Sequence, residues 1–167
     1  MAVVDKYVDT AAEADKLTVP AFNGKGTTYT AIAIVSVDSG DSDGSKYRLF
    51  RSINSDLIPV SITITNDALT SGSDYDLGLY EPNSGVVVDK DELADGISMT
   101  SGRAEGSGVT GLDAVTLANT QKKLFELAGQ TVGPGGTKDP TFDIVLTANT
   151  VGSTTGKIVV KATFVQG

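Results

Sequence analysis

An all-β fold, a β-sandwich of which the jelly roll is one form, with one short helix, is predicted by three features of the sequence. Seven or eight short runs rich in β-branched residues are present, several alternating at period two. Clusters of Gly, Pro, Asn, Asp and Ser separate them, and only one segment has helical spacing.

Residues 1–27 mix Asp5, Asp9, Glu13 and Asp15 with Lys6, Lys16 and Lys25 and end in Asn23-Gly24-Lys25-Gly26. Their weak periodicity predicts an N-terminal arm or loosely packed opening segment, leaving residues 28–167 as a single sandwich domain. From Thr28 to Val37, Ala31, Ala33, Val35 and Val37 alternate with Ile32 and Ile34, which suits a strand buried on both faces. The octet Asp38 to Ser45 has the chemistry of a solvated loop. After Lys46 to Ile53 comes a run in which Ile58, Val60, Ile62 and Ile64 alternate with Pro59, Ser61, Thr63 and Thr65, a strand with one wet face. Pro59 places its start at an edge or a strand beginning, because proline cannot donate to a ladder.

Tyr75, Leu77 and Leu79 alternate with Asp76, Gly78 and Tyr80, and Glu81-Pro82-Asn83-Ser84-Gly85 turns the chain into Val86-Val87-Val88 as a hairpin. Asp89 to Ala94 has room for a single helical turn. Residues 101–111 are loop by composition. Leu117, Leu124, Phe125 and Ala128 share a helical face, with Thr116 or Thr120 as cap and Gly129 past the end. After Gly133-Pro134-Gly135-Gly136, two strands carry Phe142, Ile144, Leu146 and Ala148, then Ile158, Val160, Ala162 and Phe164, with a hairpin expected through Asn149 to Gly156.

Composition narrows the function. The 167 residues include no His, no Cys and no Trp, which removes Ser/His and Cys/His catalysis, imidazole acid–base chemistry and the usual zinc sites. Thirteen Lys plus Arg against 21 Asp plus Glu give a net charge of −8, and only three Arg are present. Such a chain has little with which to neutralise a phosphate backbone, so nucleic acid is not an expected partner. No apolar run approaches the roughly 18 residues of a membrane span, and Met1 to Asp5 lack a basic region leading into an apolar one. No membrane partner is expected, and synthesis in the cytosol is.

The motifs point away from catalysis. Gly152-Ser153-Thr154-Thr155-Gly156-Lys157-Ile158 has three residues between its glycines and an Ile after the Lys, where a phosphate loop has four and a Ser or Thr. Asp38, Asp41 and Asp43 beside Gly44 invite a calcium reading, but in the EF-hand register Ser39 takes the first ligand position and Phe50 the place of the bidentate Glu. Asp74 with Asp76, and Asp89 with Asp91, are carboxylate pairs along single strands, whereas glycoside hydrolysis needs two carboxylates facing across a cleft. Lys122-Lys123 reads as decoration of the wet helix face. Lys46, Arg48 and Arg51, interleaved with Tyr47 and Phe50, read either as cross-strand partners or as a positive strip for an acidic surface. No catalytic, cofactor-binding or metal-ligating residue is assigned, and no cofactor is expected.

Beyond these residue-level readings, Tyr47-Arg48-Leu49-Phe50-Arg51 through Asn54 to Ile64, Asp74 to Glu81, Leu146 to Gly152 and Lys161 to Gly167 carry a resemblance. Over residues 46–167 the chain resembles the head decoration, or cement, proteins of tailed bacteriophages. The resemblance implies a non-enzymatic virion protein on the outer capsid surface that bridges and stabilises major capsid protein subunits. It brings no binding residue with it. A symmetric homo-oligomer follows from seating on a capsid axis, a trimer ahead of a dimer, and residues 1–27 are the expected capsid-contacting arm. The competing classes are a tail or baseplate β-sandwich that binds a host receptor, a carbohydrate-binding surface module and, last, an enzyme.

Overall fold

The computed structural model describes residues 3–7, 27–71 and 74–166. Among these described residues nine strands form two sheets: β1 (Asp5–Tyr7), β2 (Thr28–Val37), β3 (Lys46–Asn54), β4 (Leu57–Asn66), β5 (Asp74–Tyr80), β6 (Val87–Ser98), β7 (Val109–Thr110), β8 (Thr141–Thr150) and β9 (Gly156–Gln166). One sheet has the order β1-β3-β8-β5-β6 and the other β2-β9-β4-β7. Every pairing is antiparallel except β1 with β3, which is parallel. The fold is the expected all-β sandwich.

The core lies between the sheets, because alternate residues of each strand turn inward. Ala31, Ala33, Val35 and Val37 of β2 meet Leu77 and Leu79 of β5 and Phe142, Ile144 and Leu146 of β8 in one buried cluster with Ile158, Val160 and Phe164 of β9. The two-faced burial expected of β2 does not occur: Ile32 is 47% exposed. Small residues face the core there, and the larger isoleucines cover the outside of the sheet.

The phase of β4 also differs from its sequence pattern. A register shift between Pro59 and Ser61 puts one extra residue into the strand. Leu57 and Pro59 are therefore buried before it and Ile62 and Ile64 after it, while Val60 is exposed. Pro59 is tolerated because β7 pairs only with Thr63 and Ile64, so β4 needs no donor at Pro59 on that side.

One connection crosses between sheets where sequence reading places a simpler turn. Residues 151–155 carry the chain from β8 to β9, which lie in different sheets, so the expected hairpin through Asn149 to Gly156 is a corner. Thr70 pins it: its N–H donates to Thr154 Oγ1 at 3.0 Å and its carbonyl accepts from the Ser153 N–H at 3.0 Å. The β5–β6 turn is the expected hairpin, closed by the Glu81 N–H donating to the Val86 carbonyl at 2.9 Å.

The expected helix shrinks to α1 (Leu124–Leu127), preceded by a single 3-10 turn at Leu117–Asn119. Leu117 is 91% exposed and shares no face with Leu124 and Phe125, which are buried. The cap is Lys123, whose N–H donates to the Glu126 carboxylate at 2.9 Å, and Gly129, at φ +68, follows the end as expected. Asp89 to Ala94 forms no helical turn but lies inside β6.

That stretch of β6 is a large bulge. Leu77 pairs with Ala94 and Leu79 with Asp89, so two residues of β5 oppose five of β6. The slack folds back over Gly78, where a Cβ would stand 2.2 Å from the Asp89 carbonyl oxygen and 2.2 Å from the Lys90 carbonyl carbon. Only hydrogen fits between the two backbones. Gly78→Ala is expected to lower stability by about 3 kcal/mol or more, because a backbone rather than a side chain must move; urea denaturation of the purified chain measures it.

Candidate functional site

Because side chains alternate along a strand, the outward residues of β3, β8 and β5 form a layer on the far side of the five-stranded sheet from the core. The register sets Thr147 between Lys46 and Asp76, and Val145 between Arg48 and Gly78, while Tyr80 pairs with Asp143. In most sandwiches such a face is solvated. Here Arg48, Asp76, Tyr80, Asp143, Val145 and Thr147 are all buried.

A buried charge must be paired and hydrogen-bonded to be tolerated, and this layer meets both conditions. The Arg48 guanidinium donates from Nη1 to Asp143 Oδ2 at 2.8 Å, with Arg48 2% and Asp143 0% exposed. Asp143 also accepts from the Ser52 N–H at 2.8 Å and the Asn83 N–H at 3.2 Å. Both of those residues hold left-handed backbone, at φ 52 and φ 60. One carboxylate thus stabilises the irregular part of β3, the tip of the β5–β6 hairpin and a buried cation. Lys46 reaches the same hairpin, its Nζ donating to the Gly85 carbonyl at 3.0 Å and lying 5.2 Å from the centre of the Tyr80 ring. The Tyr80 hydroxyl in turn shares a 2.6 Å hydrogen bond with Thr147 Oγ1.

The second centre is Asp76, 1% exposed. It accepts from the Gly96 N–H at 3.1 Å and from Asn149 Nδ2 at 2.7 Å, and Lys90 Nζ lies 3.0 Å away. Burial alone would raise the Asp76 carboxyl, but these three donors outweigh it and hold it below its ordinary value, while the Lys90 ammonium is raised by its bond to Asp76. Acid and base are each pushed away from neutrality, the opposite of what proton transfer near pH 7 requires.

The residues singled out from sequence are distributed as follows. The positive strip is split: Lys46 and Arg48 serve the hairpin and the buried pair, so Arg48 presents no surface charge. Asp41 is buried and accepts from the Tyr47 hydroxyl at 2.8 Å and the Asp38 N–H at 3.1 Å, while Asp43 accepts from the Val151 N–H at 3.0 Å. Burial, then the bond to Asp41, pushes the Tyr47 phenol well above its ordinary value. These carboxylates close turns, and among the described residues no three of the acidic side chains converge as a metal cage. Lys123 lies 3.7 Å from Asp56, which Lys138 also holds at 2.6 Å.

Asp74 and Asp76 both lie on the outward face of β5, and Asp89 and Asp91 sit together in the β6 bulge, where the Asp91 N–H donates to Asp89 Oδ1 at 3.3 Å. Of the expected arm, Asp5–Tyr7 add in parallel to Lys46–Arg48, and Val4 donates to Ser45 Oγ at 3.2 Å; residues 8–26 lie outside the described residues. Asp143, Asn149 and Lys90 were not singled out from sequence. The available signal was Asp143 interrupting the otherwise apolar run from Phe142 to Leu146.

Over 96% of its length the chain is similar to a chain of the capsid of Ralstonia phage GP4, covering 97% of that chain with a TM-score of 0.64 and 15% identity. The fold is one found in phage capsids. A chain of the cyanophage Pam1 capsid asymmetric unit is also similar, with a TM-score of 0.58 and 11% identity over 91% of this chain and 94% of that one. No protein-family model matches the chain, and no curated protein matches it.

Two predictions follow from the charged layer. Arg48→Met and Asp143→Asn each leave an uncompensated polar group and are expected to cost about 3–5 kcal/mol, whereas the double variant loses less than the sum; urea denaturation of all four chains completes the cycle. The acidic edge generates the other. Burial chiefly raises Asp89 and Glu92, and the charge on Asp76 chiefly raises Asp95. A raised carboxyl binds its proton in the folded state before the unfolded chain does, so stability rises as pH falls from 7 toward the ordinary values of 3.8 and 4.5. Asp76, Asp56 and Glu105 are held below those values, and their contribution is lost as pH falls further, through their folded-state values. Melting temperature against pH at fixed ionic strength should therefore peak on the acid side of neutrality.

Proposed function

We propose that the chain is a non-enzymatic virion protein that binds the outer surface of a bacteriophage capsid and stabilises contacts between major capsid subunits. The observation that carries this reading is the likeness to chains of two phage capsids, which covers 91% or more of every chain compared. Two physical features support it. The polar layer is committed to holding the fold, with Asp76 kept ionised and Lys90 kept protonated, so it supplies rigidity rather than reactivity. The net charge of −8 favours the outside of a shell over the inside, where packaged nucleic acid would repel it.

On this reading the chain is made in the host cytoplasm and its partner is the major capsid protein. A symmetric homo-oligomer on a two-fold or three-fold axis would convert a weak contact into a lasting one by avidity. Residues 1–27 are the proposed contact arm, anchored to the sandwich where Asp5–Tyr7 pair with β3.

The test is sedimentation of the purified chain with expanded phage heads that lack it. Saturation near an integer ratio to the major capsid protein, with heads that survive greater heat, is the expected result. Deleting residues 2–20 should weaken binding at least about tenfold if the arm carries the contact. Heads that bind none of the full chain would remove the decoration reading and favour a tail position.

A further inference from the structure

Lys90, Asn149 and Asp76 come from three strands of the five-stranded sheet and meet at one oxygen atom. β5 lies between β6 and β8 in the sheet order, so the outward Asp76 of β5 stands where side chains from both neighbours reach it. Asp76 Oδ2 accepts from Asn149 Nδ2 at 2.7 Å and lies 3.0 Å from Lys90 Nζ. Lys90 Nζ also donates to Asn149 Oδ1 at 3.2 Å. A buried carboxylate needs donors, and both residues supply them, but that role does not require Lys90 to touch Asn149 as well. The extra contact places an amine against the carbonyl end of a carboxamide, while one carboxylate oxygen touches both the amine and the carboxamide nitrogen.

We propose that Lys90 and Asn149 join covalently, the Lys90 amine displacing ammonia from the Asn149 carboxamide with Asp76 as proton carrier between them, so that a side-chain amide staples β6 to β8 across β5. The Nζ–Cγ bond forms and the Cγ–Nδ2 bond breaks. Asp76 Oδ2 takes a proton from Nζ, which frees the electron pair of the amine for attack on Cγ, and returns a proton to Nδ2 as that nitrogen leaves. In sum, the Lys90 ammonium and the Asn149 carboxamide become a secondary amide and a free ammonium ion, with Asp76 restored and no oxidant or reductant consumed. Carboxamides resist amines in bulk water; contact supplies the rate, since well-oriented intramolecular partners reach effective concentrations of about 10⁵–10⁸ M.

The charges set the pace. At rest Asp76 is held below its ordinary value and Lys90 above its own, so the neutral amine is a minor form and the step is slow. It runs once per chain and is drawn forward as ammonium escapes, for which Lys90, 48% exposed, leaves the way open. Asp76 and Tyr80 of β5, Asp91 of its own strand and the neutral Asn149 of β8 face Lys90, and Asp95 of β6 faces Asp76. The acids among them favour the ammonium, so joining quickens as pH rises from neutrality. The product holds no free amine, and the layer ends unreactive as well as stiff. The inference rests on these side chains and stands whether or not the chain belongs to a capsid.

Intact mass of the purified chain, measured denatured after incubation at neutral and at mildly alkaline pH, reads the step directly. The expected result is a species lighter by one ammonia, about 17 Da, that accumulates faster at the higher pH. Its tryptic digest should hold a branched peptide in which residues 52–103, uncut after Lys90, are joined to residues 139–157. Lys90→Arg, which keeps a cation beside Asp76, and Asn149→Ala should both retain their full mass. Joined chains should also melt higher than either variant, because the bond closes the loop between residues 90 and 149 in the unfolded state. A chain that keeps its full mass through the alkaline incubation would overturn the proposal. So would a loss of ammonia that persists in Lys90→Arg, which is cyclisation of an asparagine onto its own backbone.

Discussion

The buried carboxylate of Asp143 is the constraint around which the five-stranded sheet is organised. A charge with no exposure to water cannot be left alone, since removing its partner costs about 3–5 kcal/mol and removing its solvent costs more. Asp143 answers by drawing in Arg48 from β3 and the N–H groups of Ser52 and Asn83. Those two residues sit in left-handed backbone, a conformation that a free chain would seldom hold. The irregular half of β3 and the tip of the β5–β6 hairpin are therefore fixed to the middle of β8 by one side chain.

Asp76 does the same one register step along. Its three donors come from Gly96, Asn149 and Lys90, two of them on β6 and one at the end of β8. The β6 bulge can lie over Gly78 because Lys90, at its crest, is held by Asp76. Two carboxylates thus turn a sheet face that would ordinarily be wet into a second packed layer. The result is a stiff layer with an acidic rim along β6, in which neither Asp76 nor Lys90 is poised for proton transfer at neutral pH. Rigidity without reactivity is what a reinforcing part of a shell needs.

Sequence periodicity captured the inward face of the two closing strands, because the core decides it: Phe142 to Ala148 and Ile158 to Phe164 face as their alternation predicts, whereas β2 buries one face and not the expected two. It failed where pairing adds a residue. The shift at Pro59 reverses the phase of β4, and the bulge at Asp89–Lys90 presents a polar run that local reading takes for a helical turn. It failed again where a turn changes sheets, since Gly152 to Thr155 has the composition of a hairpin and nothing local distinguishes a corner. Leu117 was drawn into a helix by spacing, although the chain there makes one 3-10 turn and leaves it exposed. The charged layer was half legible. Arg48 and Asp76 stood out as charges within strands, but their burial depends on β8 and β6, whose register no local pattern encodes.

The claim that this slab belongs to the outside of a capsid is tested most directly by counting. Quantitative mass spectrometry of purified virions that carry the chain, with isotope-labelled peptides from it and from the major capsid protein, gives the copy ratio. Decoration predicts a small-integer ratio to the major capsid protein, and removal of the chain by mild protease treatment while the shell stays closed. A handful of copies per particle, or a chain protected until the shell is opened, would contradict it.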